Sequence, residues 1–399
     1  MTTTSLNWDP FDEDLDRDPY PMWKRLRDEA PVYRNEEYDF WALSRYEDVE
    51  RAHKDPSTFS SAHGTVLERM GPETGQSRMM IFLDPPEHTM LRRLVSRSFT
   101  PRRISGLDVR VREICADLLD PHVGGDAFDF VQDFGAQLPS RVISSLVGVP
   151  PSDQEPTRQL VDGMFHVEPG VGMVNDKSVT SSLELAGYLM QIVEERRADP
   201  RDDLISSLVQ AEVSDDDDDG VRRRLTPEEC TEFAILLYSA GTETVAKLLG
   251  NAAVVLAAHP EQRAELVSDS TLIPNAIEEL LRFEPPSPVQ GRWMTRQVEI
   301  QGTTLPEGAR VLLLTGSAGR DEREFPDPDR FDIHRSMANH LSFGYGVHFC
   351  IGAALARLEG RIGLEEVFRR FPSWGIDEGG VERVNTSTVR GYRRVPVTV

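Results

Sequence analysis

A helix signal marked at both ends constrains this chain more than any other stretch. Thr226-Pro227-Glu228-Glu229 supplies an N-cap residue, a proline for the first turn and a glutamate at the capping-box position. The next strong stop is His259-Pro260. At 1.5 Å per residue the helix between them would be roughly 48 Å long, enough to cross a whole domain. Its apolar stripe Phe233, Leu237, Ala240, Thr244 and Leu248 carries a single hydroxyl, that of Thr244, inward. Gly241 sits mid-helix at a cost of about 1 kcal/mol relative to alanine, and such a cost implies a reason. An isolated threonine here would simply bond back to the carbonyl one turn earlier.

The second constraint is the stretch 341–359, which presents one cysteine, Cys350, on a glycine-bearing loop. The loop runs into a helix whose Leu355, Leu358 and Ile362 fall at helical spacing. A cysteine just ahead of a helix feels the positive end of the dipole and free N–H donors, which favour thiolate. Gly344, Gly346 and Gly352 leave room for something flat against the backbone. A lone thiolate, the aromatic Phe343 and the small residues Ala353, Ala354 and Ala356 suit an iron porphyrin. A cysteine of this kind on its own is often plain core. A cysteine-protease reading fails because triad partners usually meet through the fold, whereas His348 is a near neighbour in sequence.

The pattern Phe343-x-x-Gly346-x-His348-x-Cys350-x-Gly352 resembles the haem-binding signature of the cytochromes P450, and the resemblance extends over about residues 10–397. It implies a mainly α fold with small β-sheets (α+β), a long central helix over a buried haem, and one domain over 1–399 whose β-rich parts are about 30–60 and 285–340. The implied cofactor is haem b, with Cys350 as the iron ligand and Phe343, Gly346 and Ala240 beside it. His88, Arg92, Arg292 and His348 match propionate-binding positions. Ala240-Gly241-Thr242-Glu243-Thr244 resembles the oxygen-activation motif, with Thr244 and Glu243 as its alcohol and acid, although Val245 stands where Thr or Ser is common. Glu279-x-x-Arg282 is among the commonest helix ion pairs. In order with the other motifs it matches the family's structural pair, with Arg330 of Pro328-Asp329-Arg330-Phe331 as third partner and Asp329 in place of the frequent Glu.

Composition narrows the setting. The 399 residues carry a net charge of -23, from 44 Lys+Arg against 67 Asp+Glu, which argues against generic nucleic-acid or anionic-membrane binding. Cys115, Cys230 and Cys350 are far apart and odd in number, so no disulfide framework is implied. Neither a signal-peptide core nor a long apolar run appears, and a cytoplasmic monomer without a membrane span is expected.

Along the chain, the spacing predicts a helix at 22–29, a hairpin over 31–44 and a helix at 46–54. A long loop over 60–80 would cap the substrate pocket in the resembling family. A helix carrying Leu91, Leu94 and Val95 follows Asp84-Pro85-Pro86, and His88 and Arg92 share one face of it. The stretch 111–197 reads as helical with breaks at Pro139, Pro150, Pro151, Pro156 and Pro169, and 165–174 as a second pocket cover. An amphipathic helix is expected over 202–213. Asp215–Asp219 with Arg222–Arg224 reads as a solvated tract. Strand, turn and strand are expected over 299–314, and 385–391 resembles the last pocket-lining turn.

The implied activity is that of a haem-thiolate monooxygenase inserting one atom of O2 into an apolar small molecule. Electrons would come from a ferredoxin and an NAD(P)H-dependent ferredoxin reductase. The alternative is a haem-thiolate binding protein, or a peroxide-using or rearranging enzyme without a redox partner. The Glu243-Thr244 pair favours the monooxygenase, since peroxide chemistry needs no separate proton relay. Met79, Met80, Phe165, Leu236, Leu237, Ala240, Val245, Val289 and Val389 are candidate pocket residues, and apolar pockets order ligands mainly by shape. A basic run (Arg92, Arg93, Arg97, Arg102, Arg103, Arg110, Arg112), joined by Arg357 and Arg361, is the expected ferredoxin-docking face.

Overall fold

A computed structural model describes residues 6–72, 78–96, 99–168, 171–214, 222–386 and 388–399. The chain divides into two compact units, each made of discontinuous segments.

The first unit comprises Met1–Ser77, Thr271–Cys350 and Arg383–Gly391. Its frame is a five-stranded sheet in the order Val32–Asn35, Phe40–Leu43, Arg310–Leu313, Gln290–Met294, Phe59–Ser60. The expected hairpin is present, with Val32 opposite Leu43 and Asn35 opposite Phe40. Arg310–Leu313 then pairs parallel to the second hairpin strand and antiparallel to Gln290–Met294, with Val311 opposite Arg292. On one face Leu43, Val49, Phe59, Met294, Val311 and Leu313 form an apolar cluster with the predicted helix Tyr46–Lys54. Burying each such side chain contributes roughly 1.5–3 kcal/mol, so a register slip that turned them outward would be strongly disfavoured.

The second unit comprises Arg78–Ser270, Ile351–Glu382 and Tyr392–Val399. The helix Pro227–Ala258 runs through it with the expected capping box, Thr226 accepting from the Glu229 N–H while the Glu229 carboxylate accepts from the Thr226 N–H. Phe233, Leu237 and Tyr238 are buried with Ile143 and Val147 of the helix Gln137–Val147 and with Leu189, Ile192 and Val193 of Asp176–Ala198. The Tyr238 hydroxyl is satisfied inside this core by Thr157 at 2.6 Å and Ser144 at 3.0 Å. Gly241 has a packing reason. A Cβ built there would stand 3.0 Å from Ile143 Cγ1 and 3.1 Å from its Cδ1.

Several expectations need correction. Pro139 and Pro156 do not break helices. They lie in the first turns of Gln137–Val147 and Gln154–Met164, where the missing N–H costs nothing. The break between Leu119 and Gln137 comes instead from Gly124 and Gly125, the strand Ala127–Asp129 and a π-helical turn, Phe130–Gly135. The helix expected over 202–213 is confined to Leu204–Val209, because Glu212–Ser214 pairs antiparallel with Arg222–Arg224. Those arginines are therefore a strand, and Asp215–Asp219 lie outside the described residues, as do Pro169 and part of the 60–80 loop. No helix among the described residues is long and apolar enough to cross a membrane.

Candidate active site

The first unit carries Cys350, Phe343, Gly346, His348 and Arg292. The loop is closed by its own backbone: the Gly344 N–H donates to Leu341 O at 2.8 Å, Phe349 N–H to Gly346 O at 3.1 Å and Cys350 N–H to Phe343 O at 2.8 Å. Gly344 and Gly346 both have left-handed φ values, 68° and 67°, which side chains resist. At Gly346 a Cβ would come within 2.5 Å of the His53 carbonyl oxygen, so the loop approaches the helix Tyr46–Lys54 more closely than any other residue type permits. A half-buried Cys350 ends this rigid turn. Arg292 is buried in its strand and donates to the Gly291 carbonyl at 2.7 Å. Within reach of its charge lies His53, which sequence reasoning passed over, although its place on the buried face with Tyr46 and Val49 was a readable signal.

The second unit carries His88, Arg92, Ala240, Glu243 and Thr244. His88 is buried in the first turn of Glu87–Ser96, one helical turn before Arg92. Burial, and secondarily the Arg92 charge, push its pKa down to about 4, so the ring is neutral at neutral pH. In the long helix Ala240 is exposed and Thr244 half-buried, while Thr242, Glu243 and the run 245–253 are buried. The Thr244 hydroxyl donates to the Ala240 carbonyl at 3.0 Å. Thr242 and Ser239 make the same kind of back-bond but are buried, so Thr244 is the hydroxyl of this stretch that also reaches accessible space. Glu243 has a partner the sequence reading missed. Its carboxylate is 2.9 Å from the Lys247 ammonium, one turn on, and both side chains are almost fully buried. Lys247 also donates to the Tyr392 carbonyl at 3.4 Å. Met79, Met80, Phe165, Leu236 and Leu237 belong to one apolar cluster of this unit.

The structural pair is present with a different third partner. Glu279 and Arg282 are fully buried and bidentate, both contacts at 2.7 Å. Arg330 is exposed and faces Asp332 at 3.5 Å, contributing its carbonyl rather than its guanidinium to Arg282. Arg335, nearly buried, places its Nε 3.2 Å from Glu279. The basic run is also partly spent internally. Arg112 meets Asp108, Glu365 and Glu366, Arg361 meets Asp108 and Glu365, and Arg110 meets Glu113. Arg93, Arg102 and Arg103 stay exposed, and Arg97 lies outside the described residues.

These residues fit a thiolate-ligated haem. One sulfur ends a turn whose Gly344 and Gly346 take left-handed φ values and whose Gly346 lies against the His53 carbonyl, and the Arg292 guanidinium and the His53 imidazole are buried in the same unit. Among the described residues no group of three or more His, Cys, Asp or Glu could hold a metal ion by protein ligands alone. A porphyrin would supply the remaining donors.

Comparison with known proteins gives the same direction. The family model described as Cytochrome P450 matches residues 31–389. The chain is 42% identical over 394 residues to cytochrome P450 123 of Mycobacterium tuberculosis, covering 98% of this chain and 96% of that protein. It is 38% identical over 405 residues to the vitamin D(3) 25-hydroxylase of Pseudonocardia autotrophica, covering 100% and 98%. Among solved structures, a mutant of P450 EryK in complex with erythromycin B superimposes with a TM-score of 0.87 at 35% identity, covering 96% of each chain.

Proposed function

Because the chain belongs to the cytochrome P450 family and is a haem b monooxygenase, we propose that it oxidises an apolar small molecule with O2 and with electrons from a ferredoxin and its NAD(P)H-dependent reductase. The observation that carries this reading is the accessible Thr244 hydroxyl in the middle of a long buried helix, next to a carboxylate already held in place. When bound, haem supplies dioxygen activation at an iron whose thiolate ligand favours O–O cleavage.

Cys350 Sγ would be the ligand atom, held at the end of a turn in which Gly344 and Gly346 take left-handed φ values. Phe343 and Gly346 in the first unit, and Ala240 in the second, would each offer a flat or small surface to a porphyrin. His88, Arg92, Arg292 and His348 would each hold a carboxylate of that group, a task suited to charge-assisted and imidazole donors. Thr244 holds a proton at Oγ1, and turning that hydroxyl away from the Ala240 carbonyl directs it toward the accessible side of the helix. Glu243 is the neighbouring carboxylate that would take up a proton from water and pass it on to Thr244, and its pairing with Lys247 fixes where it sits. Met79, Met80, Phe165, Leu236 and Leu237 exclude water and sort substrates by shape. The apolar character of these residues goes with bulky molecules of the kind named for the relatives, vitamin D(3) and erythromycin B. A cytoplasmic setting, where NAD(P)H is made, and a single haem domain over the whole chain complete this reading.

The test is the ratio of product formed to NAD(P)H consumed. Thr244→Ala should keep bound haem but release reducing equivalents as peroxide, lowering the ratio several-fold. An unchanged ratio would leave Thr244 as a helix back-bonder and favour the peroxide-driven alternative.

A further inference from the structure

His53 is a buried polar side chain that the activity described so far does not use. It closes the helix Tyr46–Lys54 on its inward face and is 4% exposed. Both ring nitrogens are buried and neither finds a hydrogen-bond partner among the described residues. Leaving a buried donor or acceptor unsatisfied forfeits its hydrogen bonds to water with nothing in return. An apolar side chain at this position would avoid that cost entirely.

Its surroundings point to what would satisfy it. A Cβ built on Gly344 of the cysteine loop would stand 3.8 Å from His53 Cε1, 3.7 Å from the His348 carbonyl oxygen and 4.0 Å from Gln290 Oε1. The ring therefore stands over the cysteine loop and against the strand Gln290–Met294, which carries Arg292. The charge that acts on His53 is that of Arg292, and with burial, the larger cause, it pushes the imidazole pKa down to about 3. At neutral pH the ring is uncharged and has one N–H to donate. A neutral N–H donor beside a buried guanidinium complements a small anion, and a carboxylate can accept from both at once.

We propose that His53 is a further hydrogen-bond donor to the carboxylate held by Arg292, namely a propionate of the haem. The inference rests on the haem-thiolate reading. It adds to the expected propionate ligands a residue that no sequence motif marks, and it gives the helix Tyr46–Lys54 a direct part in holding the cofactor.

The experiment compares ferric holoprotein of wild type, His53→Phe and His53→Gln. Phenylalanine fills the space without a donor, and glutamine restores an N–H. The readings are the rate of haem transfer to excess apomyoglobin and the propionate bending mode in the resonance Raman spectrum. A hydrogen bond to a charged group contributes about 1.5–3 kcal/mol. His53→Phe should therefore lose haem at least about tenfold faster with a shifted propionate mode, and His53→Gln should stay within about twofold of wild type. If His53→Phe does not accumulate, His53→Asn, whose amide is set back from the site, takes its place with the same expected losses. Equal transfer rates and an unmoved mode would overturn the proposal, and so would equally fast loss from the glutamine and phenylalanine variants. The reduced carbonyl spectrum is recorded on all three proteins. If wild type lacks the thiolate band, the haem-thiolate reading itself fails. If the band is present throughout and the rates are equal, only the role of His53 falls.

Discussion

The Glu243–Lys247 pair changes what the acid of the acid–alcohol pair can do. Two charges 2.9 Å apart with almost no exposure hold each other in place, and removing one leaves the other buried and uncompensated, at a cost of roughly 3–5 kcal/mol. Lys247→Met should therefore lower stability by about that amount in a denaturant titration. Adding Glu243→Gln to it should recover most of the loss, because the orphaned charge is gone. Product per NAD(P)H should stay low in both variants if a placed carboxylate feeds Thr244. A single variant as stable as wild type would mean that the pair is not closed in solution. The sequence contained half of this, since residues 243 and 247 are one turn apart. What it could not show is that the pair is buried, because that depends on which side of the long helix the neighbouring helices cover.

At the scale of elements, local chemistry was legible wherever caps and short-range spacing decide the outcome. Thr226, Pro227 and Glu229 set the start of the long helix, and the helix Tyr46–Lys54 and its preceding hairpin follow from local pattern. The reading failed where a distant partner decides. Glu212–Ser214 has the composition to extend a helix but is drawn into a strand by Arg222–Arg224. Arg330 and Arg335 are five apart, and only the fold of 326–335 chooses which reaches Glu279. That choice is testable. Arg335→Ala removes a cation from a fully buried carboxylate and should cost about 3 kcal/mol or lose haem-loaded protein on expression. Arg330→Ala should stay within about 0.5 kcal/mol of wild type, as surface changes usually do. Comparable losses in the two variants would restore the original assignment.

Over the whole molecule, a net charge of -23 coexists with an arginine-rich run whose members are partly neutralised from within. Docking of an acidic electron donor would have to rely on exposed residues such as Arg93, Arg102 and Arg103. One acid inside the second unit also ties global stability to pH. Glu359 is 1% exposed with Oε2 lacking a partner among the described residues, and burial raises its pKa well above the ordinary 4.5. Above 4.5 the unfolded chain releases a proton that the folded chain keeps. Stability conferred by this group is thus fully present at lower pH and is lost as pH rises toward the folded value, by up to ~1.4 kcal/mol per pH unit. Glu359→Gln should flatten the fall in melting temperature from about pH 5 to about pH 8, and parallel pH profiles for variant and wild type would show that the carboxyl ionises in the fold.

We propose that Cys350 alone ties the iron to the protein. The most direct measurement of this is the absorption spectrum of the reduced carbonyl complex, recorded for wild type, Cys350→His and Cys350→Ser. Wild type should show the long-wavelength band that gives the family its name, and both variants should lose it. A variant that keeps the band unchanged would contradict the assignment.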